Sequence, residues 1–101
     1  MSDEREAILA EGIKQKTKEI LEQLPYTKEV FLNQHYELRN TIENHLDFFL
    51  GIVLAQILER FSVYCLTKDI ALTSEEGDKI KYMLFSRASE FKGLIGKILG
   101  D

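Results

Sequence analysis

Tryptophan is absent, and proline and cysteine occur once each. A lone cysteine, Cys65, excludes an intramolecular disulfide. Set in an apolar stretch, it reads as a small hydrophobe suited to a reducing compartment. One proline, Pro25, and no Asn-Gly or Asp-Gly pair leave no hairpin signal. A long uninterrupted apolar run is also missing. Between Asp47 and Glu59 only 11 residues are uncharged, Gln56 among them, whereas a bilayer needs about 20 in a row. The Glu59-Arg60 pair would then sit at membrane depth, so no membrane span is expected. Nor is there an excess of positive charge: the formal net charge is −4, which gives no overall field to attract nucleic acid or an anionic membrane. The first residues, MSDEREAILAEG, lack the basic start and apolar core of a secretory signal, and the expected location is the cytoplasm.

What is present is helical material. The chain is 45% hydrophobic and 30% charged, an ordinary globular balance far from disorder. Its 101 residues make a single domain, 1–101, able to bury roughly two thirds of its unfolded surface. The chain is organised around residues 46–66, LDFFLGIVLAQILERFSVYCL, where 15 of 21 positions are apolar and surround the helix rather than form one stripe. Such a helix needs cover on most sides, from its own chain or from a partner.

Other helices flank it. Leu9, Ile13, Ile20 and Leu24 recur at helical spacing behind Ser2, a hydroxyl suited to cap a helix start, and Pro25 ends that helix. Thr27 is placed to cap a second helix, whose stripe runs unbroken from Phe31 through His35, Leu38, Ile42 and Leu46 to Tyr64. A continuous helix over 27–66 would be about 55–60 Å long, so an interruption near Asn44–Asp47 or at Gly51 is expected. After a connector, Thr73 to Glu76 spells a capping box. Ile80, Leu84, Ala88, Phe91, Ile95 and Ile98 then form the stripe of one last helix, with Gly93 and Gly96 as places for close approach or fraying. The expected fold is all-α, a three- to four-helix antiparallel bundle with a long, highly apolar central helix.

Residues that could carry chemistry are few. His35 and His45 lack the partners of a helical metal site: Leu32 and Ile42 stand where Glu-x-x-His needs glutamate, and neither histidine has an HxxxH mate. No metal or other cofactor is expected. Glu43 and Asp47 share a helix face, which reads as solvated surface. Asp69, Glu75, Glu76 and Asp78 read as helix-start electrostatics. Lys79, Lys81, Arg87, Lys92 and Lys97 are diluted by neighbouring acids as a nucleic-acid patch.

Two stretches resemble known families. Arg39-Asn40-Thr41-Ile42-Glu43-Asn44-His45 resembles the R-x(4–6)-H motif of HEPN-type helical ribonucleases. That resemblance implies a metal-independent RNase in which Arg39 stabilises phosphorane charge and His45 moves a proton. Over 24–99 the order of features is similar to the helical domain of GINS subunits of the replication complex. Leu24-Pro25 before Val30-Phe31, Leu54 to Leu66 with Arg60, and Leu72-Thr73-Ser74-Glu75-Glu76 carry the likeness, while the family's small β domain has no counterpart. This second resemblance implies an assembly subunit without catalytic residues.

The central helix wants more partners than two amphipathic neighbours supply. The expectation is therefore a non-enzymatic interaction or assembly module, as a homo-oligomer or with a protein partner. Phe48, Phe49, Phe61 and Tyr64 are the candidate interface anchors. The ribonuclease using Arg39 and His45 is the alternative.

Overall fold

The computed structural model describes residues 3–34 and 36–100, which form six α-helices and one π-helical stretch, with no strand among them. The helices are α1 (Asp3–Glu22), α2 (Leu24–Lys28), α3 (Tyr36–Thr41), α4 (His45–Thr67), α5 (Ser74–Phe85) and α6 (Ala88–Leu99), with the π stretch at Glu29–Gln34. The fold is all-α. The expected Ser2 cap and His35 lie outside the described residues.

Pro25 acts as anticipated: α1 stops at Glu22, and the proline sits in the first turn of α2, where its missing N–H costs nothing. Thr27 does not cap. It is buried inside α2, and its hydroxyl donates to the Gln23 carbonyl at 3.2 Å. The segment after it widens into a π turn, for which the apolar spacing carried no signal.

The long stripe is interrupted between Thr41 and His45, while Gly51 lies inside an unbroken helix. Side chains make this break. The Thr41 hydroxyl donates to the Glu37 carbonyl (2.8 Å), and the His45 ring lies 3.1 Å from the Arg39 carbonyl. Two carbonyls that end α3 thus find partners without further helix. Asn44 adopts an extended backbone, and its side chain accepts the Asp47 N–H at 3.0 Å, which restarts the chain as α4.

A single C-terminal helix was expected, and there are two. The Ser86 hydroxyl donates to the Met83 carbonyl (2.8 Å), so the Arg87 N–H turns to Leu84 instead, at 3.1 Å. A side chain has taken the acceptor that the next helical turn required. The capping box is present in both directions: the Glu76 N–H donates to Thr73 Oγ1 (3.1 Å), and the Thr73 N–H to Glu76 Oε1 (3.0 Å).

The core runs along α4. Phe49, Val53, Ile57, Phe61 and Cys65, four residues apart, are buried against α1 and α6. Leu9, Ile13 and Ile20 of α1, with Leu24 of α2, face them, as do Phe91 and Ile95 of α6. Tyr64 approaches Ile8 and Gly12 while Arg60 reaches Glu19 and Gln23, so α1 and α4 run antiparallel. At the other end, Lys92 pairs with Asp47 (3.1 Å), and Lys28 donates to the Ile98 carbonyl (3.1 Å) near the last turn of α6. Phe31, Phe48 and Phe49 meet edge to face there, with centroids 5.5–6.4 Å apart.

By length and composition α4 is long and apolar enough to cross a membrane, and 28% of its apolar window is buried within the chain. Close approach belongs to neither Gly93 nor Gly96. It occurs at Gly12, where any added methyl would overlap the Tyr64 ring.

Candidate functional site

The structure places its strongest polar constellation where α1 meets the start of α5. Arg5 grips Glu76 in a two-pronged pair, Nε to Oε2 at 2.6 Å and Nη2 to Oε1 at 2.9 Å, and Nη2 also reaches the Ala71 carbonyl at 2.9 Å. Glu76 is buried. Its carboxylate takes both the Arg5 fork and the Thr73 N–H, and these hold it down to about 2. Cys65 lies close enough to feel both charges, but burial dominates and pushes its thiol up. A neutral, buried thiol is inert.

Beyond this clamp α1 and α5 leave a groove of about 730 Å³ between them, lined by the buried Leu9 and Ile80 and by the more exposed Ala10, Met83, Lys79 and Glu6. Its lining mixes these apolar side chains with Arg5, Glu75 and Glu76. On the last turn of α5, Met83, 44% exposed, borders this groove, while Tyr82, 76% exposed, and Phe85, 47%, lie outside it.

The residues singled out in the sequence are dispersed. Arg39 is exposed on α3, and His45 opens α4. They meet through the Arg39 backbone carbonyl, to which the His45 ring nitrogen donates. Glu43 lies in the break, while Asp47 is paired with Lys92, so the two acids do not form a couple. Phe49 and Phe61 are buried within this one chain, whereas Phe48 and Tyr64 are half-buried. Among the described residues no group of three or more His, Cys, Asp or Glu is placed to hold a metal ion.

Sequence reasoning missed the Arg5–Glu76 clamp, whose partners lie 71 positions apart. The capping box marked Glu76 but could not announce a second claim on its carboxylate. It also missed the close approach of Gly12 to Tyr64, a residue it had singled out only as an interface anchor. Tyr64 stacks on Phe61 at 6.1 Å, with the Lys16 and Lys68 ammonium groups 5.9 and 5.8 Å from its ring centre.

Compared with family models, curated proteins and solved structures, the chain finds no match in any of the three.

Proposed function

We propose that this chain is a non-enzymatic helical interaction or assembly module that works in the cytoplasm by burying helix faces against another protein chain. One observation carries the reading: the folded chain keeps too much surface. Its accessible area is 6777 Å², whereas a folded monomer of this mass exposes about 5,900 Å². The excess, about 900 Å², is close to one partner's share of a standard interface, about 800 Å². The shape agrees, with a radius of gyration of 15.2 Å against about 13 Å for a compact domain of this length.

In this reading α1, α4 and the α5–α6 pair act as a small antiparallel bundle with α4 at its centre. Leu66 and Val63, exposed near the end of α4, extend the uncovered apolar surface. A soluble setting for α4 is supported by Arg60, which reaches sideways to Gln23 at 2.7 Å and Glu19 at 3.4 Å rather than toward a membrane surface. The similarity to GINS helical domains points the same way, towards a subunit of a larger assembly such as a replication complex.

The test is the native size of the protein. Cell extract holding it at its natural level should elute, on sizing and immunodetection, well above 11.7 kDa. Elution at the monomer position would overturn the reading.

The ribonuclease alternative draws on the contact that brings His45 to Arg39 at an exposed corner. The assembly reading expects no RNA cleavage by the pure protein. Cleavage that disappears in both Arg39→Ala and His45→Ala, with folding intact, would establish the enzyme instead.

A further inference from the structure

We infer that the groove between α1 and α5 is a binding site for a small amphiphilic cation, an apolar body ending in one protonated amine. This goes beyond the assembly reading and does not depend on it. A volume of about 730 Å³ lies within the roughly 300–1,000 Å³ of sites that take small molecules. The groove also has two unlike ends. At one, the Arg5–Glu76 pair bridges α1 and α5 and closes the space between them. One helical turn further along each helix stand the buried Leu9 and Ile80, followed by Ala10 and Met83. A short hydrocarbon laid along that second half covers apolar side chains of both helices and leaves water in doing so. With one end closed, the groove suits a ligand that stops at its charged head rather than a peptide running through.

Charge selects the head group. The lining holds three acids, Glu6, Glu75 and Glu76, against two bases, Arg5 and Lys79, which leaves one negative charge in excess. Arg5 is committed to Glu76 by two hydrogen bonds. Lys79 meets Glu75 only at 4.0 Å, with both side chains largely exposed, a contact that neutralises little. Glu6, next to Arg5 on α1, has no ion-pair partner among the described residues. The start of α5 does not offset these acids. Thr73 Oγ1 already accepts the Glu76 N–H, and the Glu76 carboxylate turns back onto the Thr73 N–H. An anionic head placed beside the clamp would therefore meet carboxylates, whereas an ammonium gains from Glu6 and Glu75 together.

Octylamine, octanoate and 1-octanol share a tail and differ only in the head, so NMR titration with each, below its micelle concentration, tests the site. Octylamine should saturate and shift backbone amides of residues 6–10 and 75–83. It should bind about tenfold more tightly than octanoate, because the acids attract one head and repel the other. Glu6→Gln combined with Glu75→Gln should erase that preference. Ala10→Phe, which fills the groove from an exposed position on α1, should abolish binding, and Leu94→Phe on α6 should leave it unchanged. Should Ala10→Phe fail to fold, Met83→Lys, which sets a cation at the tail end, carries the same expectation for octylamine. Octylamine that never saturates, or that shifts amides elsewhere, overturns the inference. Equal affinity for octylamine and octanoate overturns it too, since the acids would then select nothing. The assembly reading stands or falls separately, on native size.

Discussion

Glu76 carries two structural duties, closing the cap of α5 and receiving the fork of Arg5 from α1. Because folding lowers its pKa from the ordinary value of 4.5 to about 2, its contribution is complete above about pH 4.5. It is lost as the pH falls through that interval towards 2. The stability gap between wild type and Glu76→Gln should therefore be constant from pH 5 to 8 and close below it, as read by urea unfolding at each pH. A gap that stayed open at pH 2 would mean that the carboxylate's charge is not what matters. Gly12 makes a second residue-scale case. Alanine there gains about 1 kcal/mol of helix propensity but forces aside a Tyr64 ring held by Phe61, Lys16 and Lys68, and overpacking of this kind costs about 1–3 kcal/mol. Gly12→Ala should thus lower stability by about 1 kcal/mol net. In a Tyr64→Ala background the same change should become stabilising, and thermal melts of the four proteins would show the reversal.

At the scale of elements, the end of α4 is a Schellman turn. The Ile70 N–H donates to the Cys65 carbonyl (2.8 Å) and the Asp69 N–H to Leu66 (3.1 Å), with Asp69 at φ 57°, where glycine is preferred. Asp69→Gly should stabilise the protein by about 0.5–1 kcal/mol, raising the melting temperature by a few degrees. A lower melting temperature would mean that the aspartate side chain offsets its backbone strain. Such local chemistry also explains what could be read from the sequence. Pro25, the Thr73–Glu76 box and the four-residue spacing of Phe49 to Phe61 act within a few positions, and each was legible, whereas the stripe's last buried member is Cys65 rather than the expected Tyr64. The break at 42–44 was legible as a need, with Asn44–Asp47 as one of two candidate places, but its extent was not, since Thr41 and His45 fix it through backbone carbonyls and Asn44 through the Asp47 N–H. The Ser86 break was not legible, because serine more often points to solvent than takes its neighbour's acceptor. The Arg5–Glu76 clamp and the Gly12 slot depend on which helices end up side by side, and no spacing encodes that.

Across the whole molecule, attachment is uneven. α4 is packed by both α1 and α6, whereas α5 makes few contacts and is secured to α1 chiefly at its first turn by Arg5. Local stability follows such differences. Backbone amides of α5 should exchange with deuterium faster than those of α4 in the wild-type protein, and Glu76→Gln should widen the difference. Equal protection across both helices would mean that the chain opens only as a unit.

Cys65 gives that unevenness a chemical voice. Its thiol is buried and held neutral in the native chain, close to the charges of Arg5 and Glu76. An alkylating reagent can meet it as a thiolate only once water has entered beneath the first turn of α5. The protein therefore carries its own clock: the rate at which Cys65 is modified, in a chain with no other thiol to confuse the count, reports how often that turn lifts. A partner seated across α1 and α5 would be heard as the clock slowing down.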